Sequence, residues 1–205
     1  MPPPKPKLNV QNFPRPPLIE RTPRHLQIKW HGQIIADTKE AYWILETYHP
    51  PSTPSFPFLF LSTNIRNSTV PVSFPSLNKT NKTKTKIAYY LPPTSILLPL
   101  TVTPKRTFCE WKGWATYYSI TSPPPSPSSS PSSPQHETIS NRIWSYESPN
   151  AQYEDLKGYL SFYAGPWDCY VDGELVKPQP GDFYGGWTTG ELVGLIKGED
   201  ATRWL

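Results

Sequence analysis

From Leu26 to Lys29 apolar and polar residues alternate, and Trp30-His31-Gly32-Gln33-Ile34-Ile35 reads as a strand, a turn at Gly32 and a returning strand. A hairpin therefore opens the patterned part of the chain. Asp37-Thr38-Lys39-Glu40 follows, with an acceptor side chain three residues before a glutamate, the arrangement of a capping box. Ala41, Ile44, Leu45 and Tyr48 then fall at i, i+3, i+4 and i+7. That spacing predicts a short helix with one apolar face, ended by His49-Pro50-Pro51 because proline cannot continue the ladder. Compact apolar runs at Ile87–Leu91, Ser95–Leu100, Thr107–Ile120, Ile143–Tyr146, Tyr159–Tyr163 and Cys169–Val171 are read as sheet elements. Asp172-Gly173 before Leu175 is a hairpin signal, and a second short helix is expected after Gly185-Gly186, through Glu191-Leu192-Val193.

Between these runs the pattern lapses. Residues 1–24 hold eight prolines, which remove backbone donors and favour extended polyproline conformations, so they are read as a disordered arm. Residues 52–86 are rich in Ser, Thr, Asn, Pro and Lys without a sustained period, and the Ser/Pro tract around 121–137 has nothing to bury. If the strand ending near Ile120 pairs with the one at Ile143–Tyr146, that tract is an enlarged hairpin loop, tolerable because loop closure costs only about 0.6 kcal/mol per doubling of length. The expected fold is mainly β: one compact antiparallel domain over residues 25–205, barrel- or tent-like, with one or two short helices and two low-complexity insertions.

Composition sharpens this picture in three places. Hydrophobic residues make up 36% of 205 residues, yet there are 8 Trp and 12 Tyr beside 28 Pro, so the apolar deficit lies in the Pro- and Ser-rich stretches rather than in the core. Residues 1–136 carry 15 Lys+Arg against 5 Asp+Glu and residues 137–205 carry 5 against 11, but many of the basic residues sit in unpatterned segments such as Lys79 to Lys86. Nucleic-acid binding, which concentrates charge on a folded surface, is therefore not expected. Two cysteines, Cys109 and Cys169, suffice neither for a disulfide framework nor for a thiol-built zinc site. With no apolar leader in the first residues and no run approaching about 20 apolar residues, a cytoplasmic protein is expected.

Several separated blocks resemble one family. They are Trp30-His31-Gly32-Gln33-Ile34-Ile35-Ala36-Asp37 continuing to Leu45-Glu46-Thr47 and His49-Pro50-Pro51; Tyr89-Tyr90-Leu91-Pro92; Cys109-Glu110-Trp111-Lys112-Gly113-Trp114-Ala115-Thr116-Tyr117-Tyr118; Ile143-Trp144-Ser145-Tyr146; and Phe183-Tyr184-Gly185-Gly186-Trp187. Their order and spacing resemble the domain of unknown function 427, over roughly residues 26–120 and 138–198. Where many relatives have His before the cysteine and Pro after it, this chain has Phe108 and Glu110. The resemblance implies a compact, mainly antiparallel β fold and no established activity, although a nucleotidyltransferase-like label is sometimes attached to the family.

Four constellations hold the candidate chemistry. Cys109 near Lys112 is a possible thiolate nucleophile, against the commoner role of a buried thiol. Glu46 is either a surface cap or a pocket carboxylate facing Lys112, Tyr118 or Trp144, with acid/base work as its enzymatic alternative. Tyr89, Trp114, Tyr118, Trp144, Tyr146 and Trp187 are candidates to line a pocket for a small polar ligand, or are core packing. Gly185-Gly186 could present amides to an anion, and Asp172-Gly173-Glu174 could hold the divalent metal that nucleotidyl transfer needs, but a hairpin turn there aims both carboxylates at solvent. The leading expectation is a small-ligand-binding domain whose aromatic pocket carries Glu46 and Lys112, with cofactor unknown and no metal site assigned. The alternatives are an enzyme working through Cys109, Glu46 or nucleotidyl transfer, and a scaffold whose Pro-rich segments engage polyproline-recognising partners.

Overall fold

The computed structural model describes residues 5–47, 85–122, 137–181, 185–194 and 196. Tyr48, the His49-Pro50-Pro51 block, both low-complexity insertions apart from their ends, and Phe183-Tyr184 lie outside them.

The first strands are β1 (Leu8–Asn9), β2 (Leu18–Thr22), β3 (Leu26–Trp30), β4 (Gln33–Thr38), β5 (Ala41–Thr47) and β6 (Thr85–Tyr90). A long hairpin follows, β7 (Leu100–Cys109) and β8 (Gly113–Thr121), then β9 (Thr138–Ser145), β10 (Leu160–Phe162), β11 (Asp168–Val171) and β12 (Glu174–Leu175). Short pairs close the chain: β13 (Lys177–Pro178) with β14 (Trp187–Thr188), and β15 (Leu192–Val193) parallel to β1. Among the described residues the helical content is 3-10: Val10–Asn12, Pro93–Ser95 and Ala151–Leu156. The fold is mainly β and antiparallel.

Two hairpin turns form where their residues demand them. His31 and Gly32 (φ 50° and 78°) link β3 to β4, and Asp172 and Gly173 (φ 51° and 81°) link β11 to β12. Two successive positive φ values are the mark of the hairpin turn whose twist matches its strands. β8 pairs with β9 through Thr116↔Ser145, Tyr118↔Ile143 and Ile120↔Ile139, and Ser122 N donates to Glu137 O at 2.8 Å. Residues 123–136 are therefore the connection of a closed hairpin, as the strand pattern implies.

The sheets β2-β5-β6 and β10-β9-β8-β7 are joined where Leu91 and Leu160 exchange backbone bonds of 2.8 and 2.9 Å. One continuous sheet results, in the order β2-β5-β6-β10-β9-β8-β7, and alternation gives it two different faces. Ala41, Leu45, Tyr89, Leu91, Ile143, Leu160 and Phe162 join the main core with Leu26, Ile28, Cys169 and Val171 of the second sheet, β12-β11-β3-β4. The intervening residues Tyr42, Ile44, Ala88, Tyr90, Ala115, Tyr117, Trp144 and Tyr146 form a separate cluster on the opposite face, capped by Tyr153 and Leu156. The Glu46–Lys112 ion pair lies there.

Three sequence expectations are corrected. Over its described residues, 37–47, the segment read as a helix forms strands instead: β4 runs through Thr38 and, after a bend at Lys39-Glu40, β5 spans Ala41–Thr47. Both faces of β5 are apolar, which hides its period of two, and the run then matches helical spacing as well. Asp37 does not cap; its carboxylate accepts from Gln27 Nε2 at 2.7 Å and pairs with His25 Nε2 at 2.7 Å. Glu191-Leu192-Val193 leads into β15 rather than forming a helix. Finally, the segment read as an arm carries β1 and β2, with Val10 and Phe13 in the core and Leu18–Thr22 paired along Ala41–Leu45. Prolines at 14, 16, 17 and 23 flank that strand instead of interrupting it, and an edge strand tolerates them there.

Candidate functional site: an ion pair inside an aromatic sheet face

On β5 the side chains of Tyr42, Ile44 and Glu46 fall on the same face, so the strand itself carries a carboxylate into the second cluster. Opposite, the β7–β8 turn delivers Lys112. Asn150 fixes that turn: its Nδ2 donates to Trp111 O at 2.7 Å, and its backbone N–H donates to Lys112 O at 3.3 Å. Gly113 (φ 91°) lets the chain leave in a conformation that a side chain would strain. Lys112 Nζ consequently meets Glu46 Oε2 at 3.1 Å, with both residues buried, at 3% and 6% exposure.

Aromatic groups enclose the pair. The Tyr153 ring centroid lies 6.0 Å from Lys112 Nζ, and the Tyr153 hydroxyl donates to Pro17 O at 2.9 Å, so the N-terminal segment holds the capping turn in place. Trp144 Nε1 donates to the Tyr90 hydroxyl at 3.3 Å, and the Tyr90 and Tyr146 rings lie tilted by 37° with centroids 6.3 Å apart. Ser161 sits between Leu160 and Phe162 and opposite Trp144 in register; its hydroxyl is fully buried and makes no hydrogen bond. A hydrophobic floor with a charged pair and hydroxyls set into it is the usual composition of a small-molecule site.

Burial opposes the Lys112 ammonium, but the Glu46 carboxylate outweighs it, with Tyr90 adding to the effect, and the lysine is held protonated above its ordinary range. Lys112 is thus a fixed cation and not a base or an amine nucleophile. Burial pushes the Tyr90 phenol up to about 12, partly offset by Lys112, and drives Tyr146 well above its ordinary value. Both phenols stay neutral donors.

A raised folded pKa means that above about pH 10 the unfolded chain releases tyrosine protons that the native state retains. The stabilisation is complete below pH 10 and is lost as pH rises toward 12, in the same direction as the loss from Lys112. Urea unfolding should show stability lower at pH 11 than at pH 8 by about 1.4 kcal/mol for each fully buried phenol, and Tyr90→Phe should flatten the slope. An unchanged slope in that variant would mean that Tyr90 ionises freely in the native state.

Most of the remaining candidates lie elsewhere. Tyr118 points to the main-core side of β8, where its hydroxyl contacts Ser145 Oγ at 2.9 Å and donates to Glu147 Oε1 at 2.7 Å. Trp187 and Tyr89 belong to the main core, with Trp187 Nε1 donating to Phe162 O at 2.7 Å, and Trp114 is an exposed partner of Phe108. Cys109, by contrast, stays at the site: partly exposed at the end of β7, it packs against the second cluster near Lys112, while the described histidines His25 and His31 are engaged with Asp37 and Glu137. Asp172 pairs with Lys5 at 2.8 Å and accepts from His25 N, Glu174 accepts from Gly190 N, and no metal-ligating group of three acidic, His or Cys side chains occurs among the described residues.

The site thus gathers Glu46, Lys112, Trp144 and Tyr146 of the sequence candidates, with Cys109 packed at its edge, and adds Tyr90, Tyr153 and Ser161. Reading β5 as a strand is the signal that would have placed Glu46 on the same sheet face as Tyr90, since Tyr42↔Tyr90 and Ile44↔Ala88 are register pairs.

A protein of this architecture is an antiparallel β domain with a polar pair sequestered on its second sheet face. The family model described as a domain of unknown function (DUF427) matches residues 18–53 and 80–175, and the chain belongs to that family. No curated protein matches the chain. No helix among the described residues is long and apolar enough to cross a membrane.

Proposed function

We propose that the protein is a small-ligand-binding domain whose site is the aromatic face carrying Glu46 and Lys112. One observation supports this above the others: an ion pair buried among Tyr90, Trp144, Tyr146 and Tyr153, on the face opposite the main core. Such a pair adds little to stability that well-packed apolar residues would not match, because the desolvation of two charges offsets their attraction. A fixed cation, a carboxylate and neutral phenol donors suit a polar ligand with a ring or apolar part. Native mass spectrometry of protein purified gently from its own type of cell tests the reading. The expected result is a bound small mass that is absent from folded Glu46→Gln and Tyr146→Phe proteins. A wild-type protein that carries nothing, or variants that retain the mass, would overturn it.

A second reading draws on the Ser/Pro tract, whose flanking residues Ser122 and Glu137 are joined by a backbone hydrogen bond. Anchored at both ends, it is suited to presentation to a polyproline-recognising partner. The enzyme readings have less support. Cys109 has no histidine partner among the described residues, and the nucleotidyl-transfer label requires a carboxylate cluster that those residues do not form.

A further inference from the structure

The aromatic face continues past Trp144 to a cleft of about 350 Å³, at the small end of the range for ligand pockets. Its floor follows from register. Phe162 pairs with Ile143 and Tyr163 N donates to Arg142 O at 2.9 Å, so Arg142 and Tyr163 project on the same face as Trp144. The guanidinium lies over the Tyr163 ring, 5.1 Å from its centroid, and Tyr163 meets Trp144 edge to face at 5.1 Å. Gly185 forms one wall. A Cβ there would come within 2.9 Å of the Tyr163 ring and 3.1 Å of Trp144, and its φ is +48°, so the backbone lies directly against the aromatic floor. Pro166 and the buried Gln179 complete the enclosure, and Ala164, Gly165 and Gly186 leave space that larger side chains would occupy.

We infer that this cleft binds a small organic anion with a flat apolar body, the anionic group on Arg142 and the body against Tyr163 and Pro166. The site is separate from the Glu46–Lys112 pair and does not rest on that pair's reading. A guanidinium presents five N–H donors in a rigid plane whose geometry matches the oxygens of a carboxylate or phosphate. The cation–π contact with Tyr163 places the guanidinium at the cleft floor, and the proline and tyrosine surfaces give a ring somewhere to pack.

Titration of the full chain with benzoate, phenyl phosphate and benzyl alcohol, followed through the backbone amide resonances of Gly185 and Gly186, tests the inference. Saturable shifts are expected with one or both anions, at least tenfold tighter than with the alcohol, and whichever anion binds better identifies carboxylate or phosphate as the preferred group. Arg142→Ala should weaken anion binding tenfold or more, and Arg142→Lys, which keeps the charge but loses the planar fork, should restore only part of it. Shifts with neither anion, equal binding of the alcohol, or undiminished binding by Arg142→Ala would each overturn the assignment.

Discussion

Replacing Lys112 by methionine should lower the free energy of unfolding by about 3–5 kcal/mol, because the Glu46 carboxylate would remain buried without its cation. Methionine is unbranched like lysine and only one heavy atom shorter, so packing against Tyr153 changes little and the loss reads mainly the charge. Adding Glu46→Gln in the same chain should recover most of it, since the double variant buries no charge and glutamine retains hydrogen-bonding capacity. Urea denaturation of the wild type, the two single variants and the double variant closes the cycle and gives the coupling energy directly. A single-variant loss below about 1 kcal/mol would show that water reaches the pair in the native state and that the site is open rather than sealed.

That result bears on how far the site was legible from the chain. Glu46 and Lys112 stand out as charged residues within otherwise apolar or aromatic blocks, and their pairing needs only that β5 and the β7–β8 turn meet on one sheet face. What sequence periodicity could not supply was the identity of β5 as a strand. Tyr42, Trp43, Ile44 and Leu45 are all apolar because one pair faces each cluster, and a two-sided strand has no alternation to read. Once that run is misread as a helix, Tyr90 loses its neighbour Tyr42 and Glu46 its position on the shared face. Tyr118 and Trp187 were drawn into the pocket for a related reason. Composition counts aromatics without saying which face each occupies, and β8 sends Tyr117 and Tyr118 to opposite sides. The hairpins at His31-Gly32 and Asp172-Gly173 and the β8–β9 pairing were readable because turn chemistry and local alternation are properties of a few adjacent residues.

The N-terminal segment gives the second large effect, and it reverses the expectation that its prolines invite. Removal of residues 1–24 should abolish folding, measured as loss of near-ultraviolet circular dichroism and of a protease-resistant core. The deletion takes away β2, which pairs with five residues of β5, and with it Val10 and Phe13 from the main core. Full burial of two such side chains is worth about 1.5–3 kcal/mol each. It also removes Arg24, whose guanidinium binds both oxygens of Glu191, a carboxylate only 2% exposed, and leaves that charge buried and unpaired at a further cost of about 3–5 kcal/mol. Pro17 O, the acceptor for Tyr153, goes as well, so the cap over Lys112 loses its anchor. Against a total stability of about 5–15 kcal/mol, the sum leaves little or nothing. Replacement of residues 123–136 by Asn-Gly should do the opposite. Thr121↔Thr138 and the Ser122–Glu137 bond already bring the strand ends together, a two-residue turn fits that geometry, and a shorter loop lowers the closure entropy. A truncated chain that still folds would mean β5 is a stable edge without β2, and the Arg24–Glu191 pair would then be an ornament of the surface rather than a tie between the two ends of the chain.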